Sequence, residues 1–231
     1  MSRKFTTLLL AGGFTLLATK AQAQTTFSIG PQVGLTVAGV SNLSPGTTTI
    51  HYRTGFEAGL QSVVQFGHLA VQPSLHFSQK GLNEHYGRSL YSRYTDYRLN
   101  YLTLPLNVAY SLRPDGQGLQ VFAGPYVGML LGGNYQVTSD DRSAFGGTDS
   151  YEGAIEAGTS YTIPAPGSTA PQPRLCRRFD AGLQVGLGYR LGKLLAQAEF
   201  AFGLNDLYPL LPAAYNRTAQ ASLSYLFTPK R

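Results

Sequence analysis

The sequence predicts an all-β protein, an eight-stranded antiparallel up-and-down transmembrane β-barrel with short periplasmic turns and long extracellular loops. Three observations predict it. Apolar residues recur with period two through eight segments. The positions between them carry small, uncharged polar side chains. Only 13% of the 231 residues are charged, about half the roughly 25% usual in a soluble domain.

The N-terminus reads as an address. Arg3 and Lys4 precede the apolar core FTTLLLAGGFTLLA, and Ala21-Gln22-Ala23 supplies the small-x-small pattern of a cleavage site. Residues 1–23 are therefore expected to be a cleaved signal peptide and residues 24–231 the barrel domain. A spanning helix needs about 18 or more apolar residues, more than this core offers. No cysteine follows the core, which excludes a lipoprotein anchor. Arg3, Lys4 and Lys20 leave with the signal, so the mature net charge falls from +6 to near +3. That mild balance, in an exported chain, gives no argument for nucleic acid. The single cysteine, Cys176, excludes an intrachain disulfide.

Eight strands follow in order. FSIGPQVGLTV sets Phe27, Ile29, Val33, Leu35 and Val37 against Ser28, Gln32 and Thr36. From Thr54 to Phe66, Phe56, Leu60, Val64 and Phe66 alternate with Glu57, Gln61 and Gln65. LAVQPSLHF sets Leu69, Val71, Leu75 and Phe77 against Gln72, Ser74 and His76. YLTLPLNVAY sets Leu102, Leu104, Leu106, Val108 and Tyr110 against Thr103 and Asn107. LQVFAGPYVGML pairs Leu119, Val121, Val127 and Met129 with Gln120, Gly124 and Gly128. FDAGLQVGLGYRL sets Phe179, Leu183, Val185, Leu187 and Tyr189 against Asp180, Gln184 and Arg190. LLAQAEFAFG has Ala196, Ala198, Phe200 and Phe202 opposite Gln197 and Glu199; AQASLSYLF has Leu223, Tyr225 and Phe227 opposite Gln220, Ser222 and Ser224.

The second face decides the solvent. A soluble sheet would carry Lys, Glu, Asp and Arg there, whereas small polar residues suit the crowded interior of a narrow barrel. The apolar face then points outward, which only hydrocarbon makes favourable. In a bilayer every backbone amide and carbonyl must be paired, so such a sheet has to close on itself. Connection lengths agree. Gly67-His68, residues 113–118 and Gly192-Lys193 are short, whereas residues near 41–53, 79–99, 133–177 and 204–217 read as long loops. Aromatics on the lipid-facing parity form two girdles. Phe27, Phe66, Tyr110, Tyr189, Tyr225 and Phe227 lie at the turn ends; Phe56, Phe77, Phe179, Phe200 and Phe202 lie toward the loop ends. Tyr101, Phe122 and Tyr126 fall on the other parity, through bulges or by filling the lumen.

The pieces IGPQVGLTVAGVSN, YLTLPLNVAY, VFAGPYVGMLLGG, FDAGLQVGLGYRL, AEFAFGLNDL and NRTAQASLSYLF follow one another in that order. In order and spacing the chain resembles the PorT-like family of eight-stranded outer-membrane barrel proteins. The resemblance implies the barrel fold and an integral outer-membrane location. Name-giving members of that family are linked to protein secretion, while most relatives have no assigned function.

Candidate chemistry is sparse. Glu57, His76, Asp180, Arg190 and Glu199 fall on the inward parity and are expected to serve as structural lumen charges. Charges enclosed there are expected to pair with opposite charges, which offsets their desolvation. A triad of Ser74, His76 and Glu57 has no spacing that fixes it, and no GxSxG element occurs. No enzyme activity and no open pore are expected. The stretch KGLNEHYGRSLYSRYTDYRLNY mixes Lys80, Arg88, Arg93 and Arg98 with five tyrosines. One reading makes Arg88, Arg93 and Arg98 a basic rim touching lipopolysaccharide phosphates; the favoured one extends the hairpin above the membrane with tyrosine-rich strands. Asp140, Asp141, Asp149 and Glu152 lack EF-hand spacing, so neither metal nor cofactor is expected. The partners expected are outer-membrane lipid and lipopolysaccharide, with envelope proteins at the turns or loops.

Overall fold

The structure is a computed structural model that describes residues 25–41, 48–143, 146–158, 174–206 and 214–229. The expected signal segment lies outside the described residues. Ten strands follow in chain order: β1 (Thr26–Ser41), β2 (Thr48–Phe66), β3 (Leu69–Arg88), β4 (Tyr91–Ser111), β5 (Gly118–Asp141), β6 (Thr148–Ala157), β7 (Arg174–Cys176), β8 (Phe179–Leu191), β9 (Leu194–Asp206) and β10 (Tyr215–Tyr225).

Eight of them form a closed antiparallel ring in the order β1-β2-β3-β4-β5-β8-β9-β10. It closes where Gln32 to Ser41 of β1 pair with Ser224 to Tyr215 of β10. Phe227 extends the seam by exchanging backbone hydrogen bonds with Ile29, at 3.0 and 2.8 Å. The ring therefore has no free edge, which is what backbone groups in hydrocarbon require. Turns at Gly67-His68 and Gly192-Lys193 span two residues because Gly67 and Gly192 both adopt φ 60°, a left-handed conformation that glycine takes without steric cost.

The two faces are inside out. Leu35 is 69% exposed and Leu187 56%, whereas Glu57 is 2% and Asp180 0% exposed. All eleven girdle aromatics keep the outward parity. Tyr101, Phe122 and Tyr126 point inward and are buried, so the lumen-filling explanation holds for them.

The wall is uneven in height. Strands β3, β4 and β5 have 20, 21 and 24 residues, whereas β8, β9 and β10 have 13, 13 and 11. About 9–11 residues cross a bilayer, so about ten residues each of β3 and β4, and about fourteen of β5, rise outside it. The loops expected at 79–99, 133–177 and 41–53 are thereby shortened, and the favoured reading of residues 80–101, a hairpin extended above the membrane by tyrosine-rich strands, holds. Residues 79–99 are ladder from end to end, with Arg88 opposite Tyr91 across the two-residue turn Ser89-Leu90. Within 133–177, β5 continues to Asp141, β6 pairs back onto it, and β7 lies parallel to the end of β6. The expected loop at 41–53 likewise gives way to β2 from Thr48, and the one at 204–217 is bordered by Asp206 and Tyr215. The physical reason is shared. Above the membrane the outward face meets water, so the apolar set moves to the inward face (Leu82, Leu99, Val137) while tyrosine and threonine keep the chain extended.

Register shifts interrupt the ladder near the start of the extension, and a further one lies between β9 and β10 at Tyr215/Arg217. The β2–β3 register shifts between Tyr52 and Glu57, and the β4–β5 register shifts at Asn100/Tyr101, where Leu131 is the extra residue. Gly132 follows it with φ 141°.

Candidate functional site

The lumen is filled in three layers. At the turn end Val63, Ala70, Ala109, Phe122, Leu195 and Leu226 form an apolar floor. Phe122 fits because Gly186 faces it; a Cβ on Gly186 would overlap the ring. At the loop end Leu82, Leu99, Tyr101, Leu130, Val137 and Ile155, with Tyr97, Tyr135 and Cys176, form an apolar ceiling beneath the extended strands.

Polar side chains knit the middle layer together. Gln72 donates to Gln120 at 2.9 Å and accepts from Gln197 at 3.1 Å. Gln184 donates to Asn107 at 3.2 Å and to Glu199 at 3.0 Å, and Gln220 donates to Glu199 at 2.6 Å. Gln32 donates to Glu57 at 3.2 Å, whose second oxygen lies 3.9 Å from His76 Nε2. These amides come from seven strands, so the network ties the ring together across its bore.

All five predicted lumen charges face inward, and only some meet opposite charges. Asp180 accepts from Asn216 at 2.7 Å and Tyr126 at 3.2 Å, and its ion-pair partner is Lys80 at 3.5 Å. Lys80, from the same stretch as the rim arginines, is 2% exposed, with its ammonium 4.9 Å from the Tyr126 ring centre and 5.3 Å from that of Tyr101. Arg190, near the turns, donates to the Ser28 hydroxyl at 3.1 Å and the Gly192 carbonyl at 3.3 Å. Glu199 is held by amides. The alternation of β3 already assigned Lys80 to the inward parity of His76, the signal that would have found it. Ser74 and His76 share no hydrogen bond, and neither His76 ring nitrogen has a hydrogen-bond partner, so these side chains are not arranged as a triad.

The three rim arginines do not converge. Arg93 and Arg98 are an odd number of residues apart on β4 and take opposite faces. Arg93 lies 5.9 Å from the Tyr86 ring centre, Arg98 pairs with Asp96 at 3.0 Å, and Arg88 sits exposed at the hairpin tip. Asp140 accepts from Arg142 at 2.9 Å and Asp141 from the Ser143 amide at 2.9 Å. That backbone hydrogen bond holds the Asp141 carboxyl below its ordinary range. Among the described residues no three His, Cys, Asp or Glu side chains come together to hold a metal.

On the outward face above the apolar belt, β2, β3 and β4 border a cavity of about 590 Å³. His51, Arg53, Asn83, Tyr94 and Asp96 line it, with Arg53 held to Asp96 at 2.7 Å. A second cavity of about 370 Å³ adjoins it toward the tip, lined by Arg88 and Arg142. His85 and Tyr94 line both, their rings stacked at 4.2 Å and 12°. Sequence reasoning missed this groove, because it needs the ladder pairing of His85 with Tyr94.

Among solved structures, the chain is similar to Ail, the attachment invasion locus protein of Yersinia pestis, at 12% identity over 87% of this chain and 99% of that one (TM-score 0.44). It is also similar to Neisserial surface protein A, at 10% identity over 88% and 99% (TM-score 0.41). The outer membrane protein OprG from Pseudomonas aeruginosa gives 11% identity over 89% and 96% (TM-score 0.36). No curated protein matches the chain. Residues 21–208 match the outer membrane protein beta-barrel domain family. With a closed ring, a lipid-facing apolar belt and that match over most of its length, the chain belongs to the outer membrane protein beta-barrel domain family and is an integral protein of the outer membrane.

Proposed function

We propose that this protein is a non-conducting, non-enzymatic barrel whose working surface is the sheet raised above the membrane by β3, β4, β5 and β6. The observation that carries this reading is the filled lumen beneath that sheet. An apolar floor and an apolar ceiling block both ends of the polar layer. Eight strands leave an interior that side chains can fill. With the bore occupied, the part of the chain offered to other molecules is the exposed extension. The PorT-like order of sequence pieces is compatible with this role. In the same reading the outer leaflet supplies the first neighbours, with Arg98 on the outward face toward lipopolysaccharide headgroups.

A second reading makes the barrel a component of a secretion or transport assembly, docked through its periplasmic turns. Its support is the set of short turns at Gly67-His68 and Gly192-Lys193, which leave a flat periplasmic end.

One experiment separates the two. A photoreactive residue is placed at Gln136 or Ser150 on the extension, and in parallel at Lys193 on a turn, in intact cells. Crosslinks from the extension, with no stepwise current from the purified barrel in planar bilayers, are the expected result. Crosslinks from Lys193 alone favour the assembly reading, and step conductance from the wild-type chain sinks the closed-barrel reading.

A further inference from the structure

We propose that the outward groove across β2, β3 and β4 binds an acidic oligosaccharide, and that its natural occupant is the phosphorylated sugar core of the outer leaflet's glycolipid. The inference rests on the reading of the extension as the working surface, and names what part of it binds.

The chemistry of the lining points to sugar. Carbohydrate recognition needs an aromatic face for the C–H side of a pyranose ring and forked polar groups for its hydroxyls. The first cavity supplies both. Tyr94 is 56% exposed on one flank and Tyr52 63% exposed on the other. Asn83, His51 and the Arg53–Asp96 pair offer donors and acceptors between them. That pair is preorganised, since Arg53 also donates to the Thr54 carbonyl at 3.2 Å and to Gln79 at 3.5 Å. At about 590 Å³ the cavity is within the roughly 300–1,000 Å³ of small-ligand sites.

The adjoining cavity makes the site longer than one ring and gives it a charge preference. The stacked His85–Tyr94 pair is the ridge between the two, so a chain of sugars crossing it would reach Arg88 and Arg142 at the tip. Guanidinium groups there suit phosphate or carboxylate, which they bind bidentately. The Arg142 backbone amide donates to the Leu90 carbonyl at 2.8 Å, and its guanidinium leans on Asp140 through Nε at 2.9 Å, a contact that a phosphate would have to share or displace.

Position selects the source. Asn83, His85, Tyr94 and Asp96 share the parity of Leu75, Phe77, Leu102 and Leu104, which face lipid. The groove therefore opens sideways over the membrane, toward the layer in which neighbouring glycolipids hold their sugars, instead of upward toward free solution.

The test uses the full chain in detergent micelles, with folding of each variant verified by heat-modifiable migration. The probe is deacylated, phosphorylated core oligosaccharide from lipopolysaccharide, compared with the same oligosaccharide after phosphatase treatment, with inorganic phosphate, and with a soluble sulfated glycan. Saturable binding to the phosphorylated core is expected. Tyr94→Ala should weaken it at least tenfold for both forms of the core, and Arg88→Gln with Arg142→Gln should abolish only the preference for the phosphorylated form. Absence of binding to the core, equal binding to phosphate alone, tighter binding to the sulfated glycan, or indifference to Tyr94→Ala would each overturn the proposal. Failure here, alongside persistent crosslinks from Gln136 or Ser150, removes the groove's assignment and leaves the working surface standing.

Discussion

Lys80 and Asp180 meet across the bore of the barrel, Nζ to Oδ2 at 3.5 Å, from strands that are not neighbours in the ring. Asp180 is fully buried and takes two further hydrogen bonds, from Tyr126 and Asn216. Removing one member of a buried pair leaves the other charge uncompensated, at a cost of about 3–5 kcal/mol, whereas removing both is far milder. Lys80→Met is expected to destabilise the barrel by about that amount, and Lys80→Met with Asp180→Asn to recover most of it. Denaturant unfolding in micelles measures both; equal losses in the single and double variants would refute the pairing as the source.

Phe122 fills the floor of the lumen, and Phe122→Ala should cost about 3–5 kcal/mol as a cavity opens against Gly186. The same variant should still carry no current, because the ceiling around Tyr101 and Leu130 remains closed. Planar-bilayer recording of the folded variant decides this. Steady opening on loss of Phe122 alone would mean that the ceiling does not seal.

Cys176 is 1% exposed in the ceiling cluster, above the membrane, and burial pushes its thiol up to about 12. Arg174 nearby opposes that rise without cancelling it. The thiolate is the reactive form, so the folded protein should resist maleimide at neutral pH and label only when unfolded. Rapid labelling of the folded chain would show that the ceiling opens.

Asp115 sits in the exposed turn between β4 and β5. Its carboxyl is held below the ordinary range first by the Gln117 amide at 3.0 Å and then by Arg113 at 2.7 Å. A depressed carboxyl contributes stability that is present above its unfolded value and lost as pH falls through the folded one. The turn should therefore be unchanged from neutral pH down to the ordinary carboxylate range and loosen only below it. Amide exchange at Gln117 against pH reports this, and loosening near neutrality would contradict it.

The membrane-spanning half was legible because one physical contrast governs it. Leu102, Leu104 and Leu106 meet lipid while Thr103 and Asn107 meet the bore, so periodicity, polarity and fold carry the same information. The extension was obscured because that contrast ends where lipid ends. There the apolar set changes face: Leu99, Tyr135 and Val137 point inward while Arg98, Gln136 and Thr138 point outward, and tyrosine serves both faces. The role of Lys80 is hidden in the sequence for a related reason. A lysine just past an apolar strand resembles an interfacial anchor, and only the closed ring reveals the carboxylate opposite. The Arg88–Arg93–Arg98 grouping failed on simple geometry, since neighbours in sequence with odd spacing part company on a strand.

The uneven rim gives the molecule a bearing within the plane of the membrane. A neighbour drifting in from the flank of β8, β9 and β10 meets described strands that stop near the lipid surface, whereas one arriving from the flank of β3, β4 and β5 meets a tall screen. Among the described residues the ring thereby has a tall flank and a low one, and lateral encounters with those strands become direction-dependent without any moving part.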